Sequence, residues 1–190
     1  MGFNKALLEI DGKPLIRILS DRIRNITDQI FVSSNDLFSY GFLGYPVIAD
    51  EYKEHGPLAG LHAAMLRSTR SLFLLVACDL PNIHESLMRN LIMLAEGFDA
   101  VIPMTRDGII HPLSAVYRRT CLSAVDRQLQ LGAGKAVNIL LDGTLGVRWV
   151  TPEEGQFEDL DLANLNSPEA LCRWKRMLGR LRLREQGLHR

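Results

Sequence analysis

Little in this 190-residue chain marks a specialised environment. Its three cysteines, Cys78, Cys121 and Cys172, lie far apart with no C-x-x-C pair, which excludes a sequence-local zinc or redox motif. An odd number of scattered thiols fits a reducing cytosol, so a cytoplasmic location is expected. The longest purely apolar run, Leu72 to Cys78, is far too short to cross a bilayer, and no membrane partner is expected. Residues Met1 to Lys5 carry neither the apolar core nor the cleavage pattern of a secretory signal. An excess of one charge is also lacking. The 22 basic and 22 acidic residues cancel, so the molecule as a whole has no electrostatic pull on nucleic acid, and no nucleic-acid partner is expected. With 47% hydrophobic and 23% charged residues, the composition excludes a disordered tail or a fibrous repeat and leaves a globular domain.

The zero net charge hides an asymmetry. Residues 173–190 hold seven Lys or Arg against the single acid Glu185, a local +6, and the rest of the chain carries −6. The expected organisation is therefore one folded domain over residues 1–172, followed by a basic helix end and tail over 173–190. That tail reads as a solvated helix end, or as a contact for a phosphorylated ligand or a partner.

Short β-branched runs alternate with stretches of helical spacing. Ile30–Val32, Val47–Ala49, Leu72–Ala77, Ala100–Pro103, Leu113–Tyr117 and Val147–Val150 read as strands. Pro14 opens a helix with Leu15, Ile18, Leu19, Ile23 and Ile26 on one face. Further helices are expected over about Pro57–Leu66, Glu85–Ala95 and Arg119–Leu131, and a last one begins at Ser167-Pro168 and buries Leu171, Trp174, Leu178 and Leu181. Asp11-Gly12 marks a tight turn. The alternation predicts an α/β fold: a Rossmann-like, mainly parallel sheet in a three-layer α/β/α sandwich. Arg106-Asp107-Gly108, between two strands with no room for a helix, predicts one antiparallel excursion. Leu72–Ala77, apolar almost throughout, is expected at the centre of the sheet rather than at its edge.

In such sheets ligands bind beyond the carboxyl ends of the strands. Asp79 lies there, in Ala77-Cys78-Asp79-Leu80-Pro81, where its carboxylate either holds Mg²⁺ against phosphates or bonds backbone amides. Gly56-Pro57-Leu58-Ala59-Gly60 opens a helix whose free amides suit an anion or a base edge; a plain loop-to-helix turn has the same pattern. Lys5 offers a point charge for phosphate or is simply solvated. Asn35 and Asp50 each end a strand, and an aspartate so placed accepts the paired donors of a guanine edge or caps a turn. His111, before Pro112, reads as a surface histidine or a ligand. Asn164 and Asn166, in Asn-Leu-Asn-Ser-Pro, either present amides to a polar ligand or form a helix cap. Cys78 has no neighbouring base, so nucleophilic catalysis is unsupported.

Taken together, these motifs resemble one family. The order Met-Gly-x-x-Lys-Ala-Leu-Leu-Glu, Asp-Gly-Lys-Pro-Leu-Ile, Ser-Ser-Asn, Gly-Pro-Leu-Ala-Gly-Leu, Cys-Asp-Leu-Pro, His-Pro-Leu and Asn-Leu-Asn-Ser-Pro-Glu is similar to that of the molybdenum cofactor guanylyltransferases, over Met1 to about Leu171. The resemblance implies transfer of GMP from GTP to molybdenum-bound molybdopterin, with release of pyrophosphate. It implies Mg²⁺ on Asp79 and Lys5 against the triphosphate, with Asn35, Asp50 and Gly56–Gly60 at the guanosine. It places His111, Asn164 and Asn166 on the pterin side. Molybdoenzymes or their chaperones are implied as recipients of the finished cofactor. Two alternatives stand beside this: a related nucleotidyltransferase with a cytidylyl or sugar-phosphate acceptor chemistry, and a non-catalytic pterin- or partner-binding module.

The sequence departs from the family at two points. Members carry a strand ending in Leu-Ala-Gly-Gly-x-Ser-x-Arg immediately before Met-Gly, and Met1 starts this sequence without it. The expectation is that Met1 is an internal methionine of a longer protein; a genuinely short form would be a weak or inactive enzyme. Without that strand the sheet should show either a gap at its middle or two neighbours closed upon each other, and GTP should bind poorly for want of the loop's amides. The second departure is Asn4, where the family usually has Asp, which removes one negative charge near the phosphates.

Overall fold

The computed structural model describes residues 4–52, 55–132, 135–140, 143–165 and 174. Strands β1 (Glu9–Ile10) and β2 (Lys13–Pro14) form an antiparallel hairpin around the two-residue turn Asp11-Gly12 and lead into helix α1 (Leu15–Ile23). Strand β3 (Val32–Ser33) pairs in parallel with β4 (Val47–Ile48), and helix α2 (Gly56–Arg67) leads to β5 (Leu72–Val76). Helix α3 (Glu85–Met93) precedes β6 (Ala100–Pro103), which turns back through Arg106–Gly108 into β7 (Ser114–Arg118). A 3₁₀ turn at Arg119–Cys121 starts α4 (Leu122–Gln130). Two short helices, α5 (Val137–Leu140) and α6 (Pro152–Gly155), flank β8 (Val147–Val150). The last helix expected from Ser167 lies outside the described residues except for Trp174, which is buried and donates from Nε1 to Asn82 Oδ1 at 2.6 Å.

Helices cover both faces of the sheet because β5, β6 and β7 are apolar on both. On one face, α1 and α3 bring Leu15, Leu19, Leu87, Met88 and Leu91 against Val101, Val116 and Val150. On the other, α2 and α4 pack Leu58, Leu61, Met65, Val125 and Leu129 against Phe73, Ile102, Ala115 and Tyr117. Strand β5 divides between them: Leu72, Leu74 and Val76 join the first core, and Phe73 and Leu75 the second.

Two expectations need correction. The sheet is mixed rather than mainly parallel. Its four-stranded part has the order β5-β7-β6-β8, with β7 antiparallel to both neighbours and only β6 and β8 parallel. The hairpin at Arg106–Gly108 is the expected antiparallel excursion, but its return strand inserts between β5 and β6 and so converts both contacts. Secondly, Leu72–Val76 is an edge strand of that sheet, paired only with β7 among the described residues. Its apolar sequence follows from the helices packed on its two faces, although only Phe73 is buried and Leu72, Leu74, Leu75 and Val76 are half-buried.

The β3–β4 pair forms a separate sheet. Between β3 and β5 lies a cavity of about 840 Å³, lined by Ile30–Ser33 on one side and Leu72–Asp79 on the other. Of the two outcomes expected for the sheet's centre, the structure has the gap.

Candidate functional site

The carboxyl ends of β3, β4 and β5 meet at one end of this cavity. Lys5, Ser33, Asp50, Gly56, Pro57, Gly60 and Asp79 all line it there. Asp79 stands three residues beyond β5, held by its own carbonyl, which accepts from Leu165 N at 2.9 Å. Its carboxylate is 16% exposed and pairs with Lys5 Nζ at 3.3 Å. Lys5 begins a 3₁₀ turn capped by Asn4, whose Oδ1 accepts from Ala6 N at 3.1 Å and whose Nδ2 donates to Tyr40 Oη at 2.8 Å. The amide at position 4 thus makes a bond that an ionised aspartate could not donate.

Asp50 is fixed from two directions. Its Oδ1 accepts from Ser33 Oγ at 3.0 Å, and its backbone N–H donates to Asn35 Oδ1 at 3.4 Å. The residue lines the cleft together with the N-terminus of α2, and its second carboxylate oxygen takes no bond from Ser33. Helix α2 starts at Gly56 with φ of +64°, and Pro57 follows in the first turn. Within the Gly56–Gly60 segment, Leu58 and Ala59 are fully buried, so their side chains serve the core and only their backbone amides are offered to a ligand.

Gly60 permits the close approach of α2 to β3. A Cβ there would fall 2.8 Å from Ser33 Cβ, closer still to its Oγ, and 3.6 Å from Asp50 Oδ1. Gly60→Ala is therefore expected to destabilise the chain by about 1–3 kcal/mol, lowering Tm by roughly 2–4 °C per kcal/mol. Adding Ser33→Gly should restore most of that packing in thermal denaturation; a Gly60→Ala chain as stable as the parent would show that the helix and strand are not in contact.

The remaining residues lie to one side. Leu113 O accepts from Ala77 N at 2.7 Å, which ties the segment after His111 to the end of β5. His111 Nε2 is buried with no hydrogen-bond partner among the described residues. Burial lowers the pKa of this imidazole below its ordinary 6.5, against the opposing pull of Asp107 and Asp159. The unfolded chain thus takes up the proton at higher pH than the folded one. The resulting stability is complete above about pH 6.5 and is lost as pH falls from there toward the lower folded value. Thermal denaturation should show this acid loss, and His111→Gln should flatten it; an unchanged profile would contradict the burial. Asn164 is exposed beside Leu165, next to Asp79. Asn166 lies outside the described residues.

Sequence reasoning passed over Ser33 and Leu165. Ser33 stands within Ser33-Ser34-Asn35, but nothing local reveals that its hydroxyl reaches a residue on the next strand. Neither of the two described cysteines is a candidate nucleophile. Cys121 is buried and donates to Asp99 O at 3.2 Å, and its thiol pKa is pushed up to about 12 by burial and the Asp99 charge. Cys78 is exposed, yet the crowding around it and the Asp79 charge raise its pKa. Among the described residues no three His, Cys, Asp or Glu side chains cluster as a metal site. A single carboxylate is nevertheless a sufficient donor set for Mg²⁺, which takes one or two carboxylates with phosphate oxygens and water. No helix among the described residues is long and apolar enough to cross a membrane.

The chain is 28% identical to the molybdenum cofactor guanylyltransferase of Desulfosudis oleivorans over 176 residues, which is 90% of this chain and 85% of that protein. Its fold is similar to that of molybdopterin-guanine dinucleotide biosynthesis protein A from Archaeoglobus fulgidus, with a TM-score of 0.77, 24% identity and coverage of 94% and 92% of the two chains. It is also similar to 2-C-methyl-D-erythritol 4-phosphate cytidylyltransferase from Thermus thermophilus, with a TM-score of 0.67, 14% identity and coverage of 88% and 90%. These likenesses give an α/β nucleotidyltransferase fold. Residues 1–143 match the model of the MobA-like NTP transferase domain, and the chain belongs to that family of nucleotidyltransferases.

Proposed function

We propose that the protein transfers GMP from GTP to the terminal phosphate of molybdenum-bound molybdopterin and releases pyrophosphate. The observation that carries this reading is the convergence of Lys5, Asp50, Asp79 and the start of α2 on one cleft at the carboxyl ends of three strands. That arrangement brings a cationic side chain, a hard oxygen ligand, a second carboxylate and free helix amides to a single cleft.

In this reading the guanine edge lies on Asp50 and α2. Guanine presents N1–H and N2–H₂ side by side, and a carboxylate with one oxygen held by Ser33 keeps the other for such a donor. Asn35 supports the same residue through its backbone. The α2 amides beyond Pro57 and the helix dipole receive the remaining polar edge. Lys5 sits against the phosphates, where its charge offsets theirs. Asp79 would hold Mg²⁺, which when bound neutralises the charge developing on the transferred phosphate and the leaving pyrophosphate.

No side chain is required as a strong base, because the attacking phosphate oxygen of the acceptor is already ionised. A bond forms from that oxygen to the α-phosphorus of GTP, and the bond to the bridging oxygen of pyrophosphate breaks. Catalysis is positioning plus charge neutralisation. The pterin side is proposed at His111, whose buried Nε2 has no partner among the described residues, at Asn164, and at Asn166. Molybdoenzymes or their chaperones would receive the product in the cytoplasm.

Pyrophosphate release from GTP and Mg²⁺ tests the reading when molybdopterin is supplied as acceptor. Release that depends on the acceptor and stops on chelating Mg²⁺ is expected. Release from GTP at the same rate without acceptor would mean hydrolysis instead.

A further inference from the structure

Residues 79–84 and 160–165 are far apart in the chain, yet hydrogen bonds stitch them together beside the cleft. Leu165 N donates to Asp79 O at 2.9 Å, and Asn82 Nδ2 donates to Leu160 O at 3.0 Å. His84 Nδ1 caps α3 by accepting from Leu87 N at 3.2 Å, which leaves the ring proton on Nε2 to meet Asp161 Oδ2 at 3.0 Å. Beneath this seam Leu80, Ile83, Leu162 and Leu165 are buried in one core.

Asn82 is the joint of the seam. Both halves of its amide are used: the nitrogen donates to Leu160, and the oxygen accepts from Trp174 Nε1 at 2.6 Å. Neither a carboxylate nor an apolar side chain could do both. On the other side of the same loop, Arg22 Nη1 donates to Pro81 O at 2.9 Å and to Ile83 O at 2.7 Å. The loop that starts at Asp79 is thus gripped from α1 by Arg22 and tied by Asn82 to Leu160 and Trp174. The two grips differ in what they hold. Arg22 shapes the loop itself, whereas Asn82 sets where residues 160–165 sit relative to it. That segment carries Asn164, which is exposed and adjoins Leu165.

We infer that Asn82 is a positioning residue: it fixes residues 160–165 against the Asp79 loop and so sets the spacing between Asp79 and the acceptor side of the cleft. The role rests on the guanylyl-transfer reading for what Asp79 and Asn164 bind; the seam itself does not. In-line transfer requires the acceptor oxygen and the reacting phosphorus to meet within a narrow range, and a misplacement of about 1 Å costs roughly 100-fold in rate. Asp50 and its supports Ser33 and Asn35 take no part in the seam. Loosening it should therefore impair use of the acceptor and spare the choice of base.

The test compares the full chain with Asn82→Ala and Asn82→Asp. The second variant keeps an acceptor for Trp174 but loses the donor to Leu160. Without nucleotide, amide exchange at Leu165 should speed at least about tenfold in both, while Val101 and Val116 of the same core exchange at the parental rate. With GTP, Mg²⁺ and molybdopterin, kcat/KM for the acceptor should fall about 10- to 100-fold in both. The KM for GTP and the preference for GTP over CTP should hold at their parental values.

Parental exchange at Leu165 in Asn82→Ala would overturn the proposal. So would faster exchange throughout the core, which would make Asn82 a residue of general stability, or an equal fall in kcat/KM for acceptor and GTP. An Asn82→Asp chain that matches the parent in both readouts would overturn the bond to Leu160 as the positioning contact. A parent chain that transfers no guanylyl group would fail the functional reading instead, and Leu165 exchange would still decide the seam.

Discussion

Asp79→Ala is expected to abolish Mg²⁺-dependent guanylyl transfer, cutting turnover by about three orders of magnitude or more, while the chain stays folded. The comparison is best made in a chain extended upstream through a Leu-Ala-Gly-Gly-x-Ser-x-Arg segment, so that phosphate contacts are not limiting. The size of the effect follows from the chemistry assigned to the cleft. In the proposed mechanism, with no covalent catalyst and no general base, charge neutralisation carries most of the rate, and Asp79 is the residue proposed to hold the metal. The fold tolerates the change because the contact that holds this loop uses the Asp79 carbonyl, which accepts from Leu165 N at 2.9 Å, rather than its carboxylate. Lys5 loses a partner at 3.3 Å, but a partly exposed ion pair of this kind contributes little to stability. Asp79→Asn separates charge from shape and should be nearly as inactive. Near-normal turnover in either variant, with the same Mg²⁺ dependence, would remove Asp79 from the mechanism.

Asp50→Ala is expected to erode the choice of base rather than the chemistry. Two hydrogen bonds from guanine to a charged acceptor are worth about 1.5–3 kcal/mol each, so discrimination of GTP against CTP and ATP should fall by about two to four orders of magnitude. Turnover at saturating GTP should change much less, because the base lies away from the reacting phosphorus. Ser33→Ala should show a smaller loss in the same direction, since it frees the carboxylate that Ser33 Oγ holds at 3.0 Å without removing it. The measurement is kcat/KM for the three nucleotides in each variant. A drop in kcat shared equally by all three would place Asp50 at the phosphates instead.

The sequence made some layers of this structure plain and hid others for physical reasons. Leu72–Ala77 and Ala100–Pro103 are legible as strands because β-branched, apolar runs of that length have few other uses, and β5 and β6 lie where they were expected. Helix α1 is legible from Leu15, Ile18, Leu19 and Ile23, and Leu15 and Leu19 are buried in the core. Strand order is a different matter. Nothing local in Leu113–Tyr117 says that it inserts between β5 and β6, because the pairing is decided by which edges are available when the sheet assembles. The same blindness made β5 look central: an apolar strand covered by helices on both faces reads alike whether it has one partner or two. Strands β3 and β4 shrink to two residues each, consistent with β3 pairing only with β4 among the described residues.

At the site, the residue types were readable and their mutual supports were not. Lys5 and Asp79 are 74 positions apart and Ser33 and Asp50 are 17 apart, separations over which a sequence gives no pairing signal. Gly60 shows the difference well. As the end of Gly-Pro-Leu-Ala-Gly it looked like part of a ligand-binding turn, whereas its first physical duty is to leave room for Ser33 against α2. That duty still serves the site, because it is what allows Ser33 to hold Asp50 in the cleft.

The most direct test of guanylyl transfer is to offer GTP, CTP, ATP and UTP separately, with Mg²⁺ and molybdopterin, to the upstream-extended chain and to identify the dinucleotide formed. The account predicts the guanine dinucleotide, with kcat/KM for GTP at least about tenfold above that for any other nucleotide. A cytosine dinucleotide formed as readily as the guanine one would contradict it and move the protein to a cytidylyl chemistry on the same fold.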